Sequence, residues 1–131
     1  MDDELRKRRT SPHLPRAAQI EAYGKGGFSF AGMSHRGSLL CLPDGIWASP
    51  VRTPQDITEE ALALVFAEGT AIDHFLIGTG RDFWPLPREL AARLNAHGIS
   101  AETMTTGSAV MTYNILLDER RRVAALLIAV D

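Results

Sequence analysis

The stretch IDHFLIGTGRDFWPLPRELAARLNAHGISAETM, residues 72–104, reads as strand, break, helix, turn and strand. Ile72 to Ile77 is a short, almost unbroken apolar run that ends at Gly78. Pro87 suits the first turn of a helix, where a missing N–H does no harm. Leu90, Ala91 and Leu94 share one helical face, Gly98 stops the helix, and Ile99 to Met104 forms the next strand. Two strands joined by a crossover helix make a βαβ unit, expected to be parallel and right-handed. This unit predicts an α/β protein.

The flanking segments extend that prediction. Downstream, Thr106-Gly107-Ser108 begins a helix that runs to about Leu117. Ala109, Val110, Met111, Tyr113, Ile115, Leu116 and Leu117 make it apolar on most sides, which predicts a helix enclosed by the protein or meeting a partner. Asp118 to Arg122 is a charged connector. Val123 to Val130 is an unbroken apolar run, as expected of a strand covered on both faces. Upstream, Asp56 is a candidate N-cap with Glu59 at capping-box spacing. Ala61, Leu62, Val65 and Phe66 continue that helix to a stop at Gly69. Earlier still the chain reads as a β-meander. Phe28 and Phe30 alternate with Ser29, Ser34 to Gly37 is turn-like, and Ser38 to Leu42 is a strand. Pro43-Asp44-Gly45 is a turn, and Ile46 to Val51 returns, with Pro50 marking an edge or an end.

Composition bounds the function. The chain has 131 residues, 45% hydrophobic and 23% charged, which suits one globular domain. Residues 1–17 are expected to be a flexible arm, because the basic run Arg6 to Arg9 sits between acidic residues and two prolines. Residues 18–131 are expected to form the single domain. A net charge of -2 with a pI near 6.1 supplies no global field for nucleic acid, so no nucleic-acid partner is expected. No apolar stretch approaches the ~20 residues of a membrane helix. Cys41 is alone, which fits a reducing, cytoplasmic compartment. The four histidines are scattered without metal-ligand spacing, so no metal is expected.

The Gly78-Thr79-Gly80 break invites a nucleotide-binding reading, and the chemistry rejects it. The dinucleotide fingerprint needs a third glycine and an immediate helix. Here Phe83 holds the third position, and Trp84 to Pro87 delay the helix. A weaker alternative stays open: a small-molecule or anion-binding protein, or an enzyme, that uses a rim at the strand ends. Ligands collect at the carboxyl ends of parallel strands, where Gly78, Thr79, Gly80, Arg81 and Asp82 would meet Thr105, Thr106 and Ser108. Helix N–H groups and Arg81 would suit an anion there, and the candidate rim continues through Thr112, Tyr113 and Asn114. The structural alternative is equally concrete: two glycines that let the chain leave a strand, a Thr106 helix cap, and an Asn114 that ties its helix to neighbouring backbone. Ser108, His97 and Asp118 have no G-x-S-x-G elbow around them, so no catalytic residue is assigned.

Several stretches occur in an order that resembles a known family: Gly27 to Phe30, Gly37 to Leu40, Leu42 to Gly45, Phe75 to Gly80, Thr112 to Leu116 and Val123 to Leu126. Together they resemble the small Mth-type domain family, described as of unknown function, whose eukaryotic relatives include a mitochondrial complex I assembly factor. The resemblance covers about residues 18 to 130. It implies a three-layer α/β fold, with a β-hairpin layer on a central mixed sheet, helices on the other face and an antiparallel last strand. It also implies a non-catalytic interaction or assembly factor without cofactor, whose partner is another assembly factor or a complex I subunit. Trp47, Phe83 and Trp84 are candidate partner contacts. The chain departs from the family pattern at Met111, where a basic residue is common, and at Glu119-Arg120-Arg121, where a glycine usually separates acid from base.

Overall fold

The structure, a computed structural model, describes residues 12–131. Most of the expected arm, residues 1–11, lies outside the described residues. Its last part contacts the domain. Leu14 bridges Ile46, with Ile46 N–H donating to Leu14 O at 2.9 Å and His13 N–H donating to Ile46 O at 2.9 Å.

Among the described residues, eight strands form two sheets. Strands β1 (Ile20–Gly24), β2 (Gly27–Phe30) and β3 (Met33–Arg36) make an antiparallel three-stranded sheet. Strands β4 (Ser38–Leu42), β5 (Gly45–Ser49), β6 (His74–Gly78), β7 (Ser100–Met104) and β8 (Val123–Leu127) form the second sheet in the order β5-β4-β8-β6-β7. The three helices are α1 (Ala63–Glu68), α2 (Arg88–Ala96) and α3 (Thr106–Asp118). The mixed α/β fold read from the sequence is present, and β6-α2-β7 is the parallel unit expected of residues 72–104.

Strand alternation sends the larger sheet's side chains into two cores. Leu40, Leu42, Phe75, Ile77, Ala124 and Leu126 point toward α1 and α2, where they join Leu64, Val65, Leu90 and Leu94. Leu39, Cys41, Leu76, Val123, Ala125 and Leu127 point the other way, toward Phe28, Phe30, Val110 and Tyr113. Every residue of β4 and β8 is buried, which explains the apolar runs Leu39 to Leu42 and Val123 to Leu127. Each fully buried Leu or Phe contributes about 1.5–3 kcal/mol of transfer free energy.

The layers differ from the expectation in one respect. Helices α1 and α2 lie on the face opposite the small sheet, but α3 shares the small sheet's face. The last strand, expected to be antiparallel, is antiparallel only to β4; on its other side it runs parallel to β6.

Two local readings are corrected. Ser34 to Gly37 is not a turn: Ser34, His35 and Arg36 belong to β3, whose register runs from Gly27↔Arg36 to Phe30↔Met33. The capping assigned to Asp56 serves a different element. Its Oδ2 accepts the N–H groups of Arg52 and Thr53 at 3.0 and 3.1 Å, closing a 3-10 turn over Pro54–Asp56. These N–H donors hold its carboxyl below the usual carboxylate range. Helix α1 begins only at Ala63, after turns that start from Thr58, whose Oγ1 accepts Ala61 N–H.

Candidate functional site

The carboxyl ends of β6, β7 and β8 lie along one edge of the larger sheet. Gly78 permits the start of α3 to press onto β6. A Cβ there would lie 3.0 Å from Thr106 Cα and 3.1 Å from Ala109 Cβ. Gly80 has a φ of +97°, a backbone shape that side chains rarely adopt.

The loop that leaves β6 is closed by its own hydrogen bonds. Thr79 N–H donates to Met104 O at 2.8 Å. Its hydroxyl lies 2.7 Å from Asp82 O and 3.1 Å from Met104 O. The Thr106 hydroxyl donates to Ile128 O at 2.7 Å and accepts Gly80 N–H at 2.9 Å. Thr106 N–H in turn donates to Gly80 O at 2.9 Å, and Ile128 N–H to Gly78 O at 3.0 Å. Both threonines are buried. One hydroxyl thus joins the exits of β6 and β8 to the start of α3.

Thr105, rather than Thr106, caps α3: its Oγ1 accepts Ser108 N–H and donates to Ser108 Oγ at 3.1 Å. The Arg81 guanidinium donates to Asp131 O at 2.7 Å. Gly78 to Asp82, Thr105, Thr106 and Ser108 therefore do come together, with most of their polar groups already engaged.

Thr112, Tyr113 and Asn114 stand apart from them. Asn114 is eight residues beyond Thr106, about 12 Å along a helix, and serves β1. Its Oδ1 accepts Ile20 N–H and its Nδ2 donates to Ile20 O, both at 2.8 Å. The side-chain amide thereby pairs with the outer edge of β1 as another strand would, next to the β-bulge between Ile20 and Ala22. Tyr113 OH donates to Ala18 O at 3.2 Å and also meets Cys41. Burial pushes the Cys41 thiol up to about 12, which leaves it protonated and unreactive at neutral pH. The same burial pushes the Tyr113 phenol up.

Of the aromatic contacts, Trp47 is buried and Trp84 packs half-buried against the α1/α2 core, whereas Phe83 is 70% exposed. Helix α3 buries Ala109, Val110 and Tyr113 but leaves Met111 and Ile115 exposed, one helical turn apart. His97 meets Phe66 edge to face on the α1/α2 side, so the sheet separates it from Ser108 and no triad is assembled. Among the described residues no three His, Cys, Asp or Glu side chains gather as metal ligands, and no helix is long and apolar enough to cross a membrane. The connector after α3 is anchored by Arg122, whose guanidinium grips both Asp73 carboxylate oxygens at 2.8 and 3.1 Å.

The chain is similar to several known proteins. The chain is 31% identical over 131 residues to mouse NADH dehydrogenase [ubiquinone] 1 alpha subcomplex assembly factor 3, covering 97% of this chain and 71% of that protein. It resembles a crystal structure from Bartonella henselae, described as an outer membrane protein, with a TM-score of 0.87 and 50% identity. That match covers 91% of this chain and all of the other. A Bordetella pertussis Mth938-like domain superposes with a TM-score of 0.75 and 28% identity over 85% of each chain. Over residues 20–128 the sequence matches the family described as "Protein of unknown function (DUF498/DUF598)", and the chain belongs to that family.

Proposed function

We propose that this chain is a non-catalytic interaction factor that assists assembly of a respiratory NADH dehydrogenase. The observation that carries the proposal is the near full-length similarity to assembly factor 3 of that enzyme. The site geometry is consistent with such a role. Thr79, Thr106, Tyr113 and Asn114 all direct their polar groups to backbone of this chain, as fold-defining residues do. The exposed apolar side chains Phe83, Met111 and Ile115 supply contacts of the kind that anchor protein partners.

The test is affinity purification of a tagged chain from its native host, paired with deletion of the gene. Recovery of NADH dehydrogenase subunits or a second assembly factor is expected, together with less assembled enzyme in the deletion strain. Met111→Glu combined with Ile115→Glu is expected to reduce that recovery while leaving the fold intact. Normal levels of assembled enzyme in the deletion strain would sink the proposal.

A further inference from the structure

The same sheet edge has a second end, where β4 begins and β5 finishes. Because Leu39 pairs with Leu127 and Ser38 with Ser49, Ser38, Ser49 and the segment after β8 converge there. They line a pocket of about 290 Å³ together with Arg36, Gly37 and Arg52. Its size matches the small end of ligand cavities.

The donors of this pocket remain available. Ser38 is buried, and its Oγ accepts Ala129 N–H at 3.0 Å. Ser49 Oγ accepts Val51 N–H at 3.2 Å. Each hydroxyl keeps a proton with no acceptor among the described residues. Arg36 has no carboxylate partner among them either. The Asp56 carboxylate, which feels the charge of Arg52, directs Oδ2 at the backbone N–H groups of Arg52 and Thr53. Two arginines and two serines lining one small concavity match the needs of an oxyanion, which accepts hydrogen bonds on every face.

We propose that the pocket between Arg36 and Arg52 binds a compact oxyanion, the phosphate or carboxylate group of a small molecule. The two arginines supply charge and forked donors, and Ser38 and Ser49 complete the shell from the ends of their strands. The site is separate from the Gly78 to Ser108 loop cluster, and the proposal stands or falls independently of an assembly role.

Amide NMR titrations with inorganic phosphate and with succinate, at constant ionic strength set by chloride, test it. Saturable shifts are expected at Gly37, Ser38, Val51 and Ala129. Response to both probes indicates a general oxyanion site, and response to one selects phosphate or carboxylate. Arg36→Gln and Arg52→Gln are each expected to weaken binding about tenfold or more. Arg88→Gln, an exposed change on α2 across the sheet, is expected to leave it unchanged. Shifts that never saturate, that persist in both arginine variants, or that centre elsewhere would overturn the site.

Discussion

The two ends of one sheet edge are built from the same residue types and behave differently. At the β6/β7 end, glycine, threonine and arginine are knitted into the backbone of β8 and α3, and the Thr106 and Thr79 hydroxyls each meet two backbone groups. At the β4/β5 end, arginine and serine surround a concavity with donors left over. Residue type therefore does not identify a binding site. What decides is whether the fold has already supplied each donor with an acceptor.

Mutations that separate stability from binding test this contrast most directly. Thr106→Val keeps the shape but leaves Gly80 N–H and Ile128 O without their partner. A loss of about 3 kcal/mol is expected by urea denaturation, from two buried groups at roughly 1–3 kcal/mol each. A loss below about 1 kcal/mol would show that the β6/β7 end is not held together as described. Asn114→Ala removes both bonds to Ile20 at the far end of α3, and about 2 kcal/mol is expected. It also predicts faster amide exchange in β1 than in β6. At the other end, Arg36→Gln and Arg52→Gln are expected to change stability by less than about 0.5 kcal/mol, while weakening any oxyanion response about tenfold or more. A large destabilisation from either would erase the difference between the two ends.

The smallest effect concerns pH. His35, beside Arg36 on β3, has a pKa lowered by burial and then by the His13 ring 4.8 Å away. A histidine with a lowered folded pKa favours folding in its neutral form, so its contribution is complete above the ordinary value near 6.5. That contribution declines as pH falls below it. Urea midpoints at pH 7.5 and 5.5 are expected to differ less in His35→Gln than in the parent chain, and an unchanged difference would refute the coupling.

The sequence disclosed the elements that local chemistry punctuates. Gly78, Pro87 and Gly98 marked β6, α2 and β7, and continuous apolar runs marked β4 and β8. It did not disclose β3, because Met33, Ser34 and Arg36 are exposed and the strand owes its existence to pairing with β2 rather than to burial. The site was half legible. Thr79, Thr106 and Asn114 stood out as polar residues near apolar runs, but their partners Met104, Ile128 and Ile20 are distant in sequence. The role of Ser38 was hidden for the same reason, since only the pairing of β4 with β8 brings Ala129 to it. Arg36 was assigned to a turn and Arg52 carried no motif.

The position of β8 has a consequence for how the protein forms. It is the last strand along the chain, yet it lies at the centre of the sheet, between β4 and β6. During synthesis, the β4-β5 hairpin and the β6-α2-β7 unit emerge as two incomplete halves, each with an apolar strand edge open. Neither half closes its core until residues 123–127 leave the ribosome and fill the gap between them. Such late, long-range closure favours slow folding, and it leaves apolar surface and unpaired strand edges exposed in the nascent chain until β8 arrives.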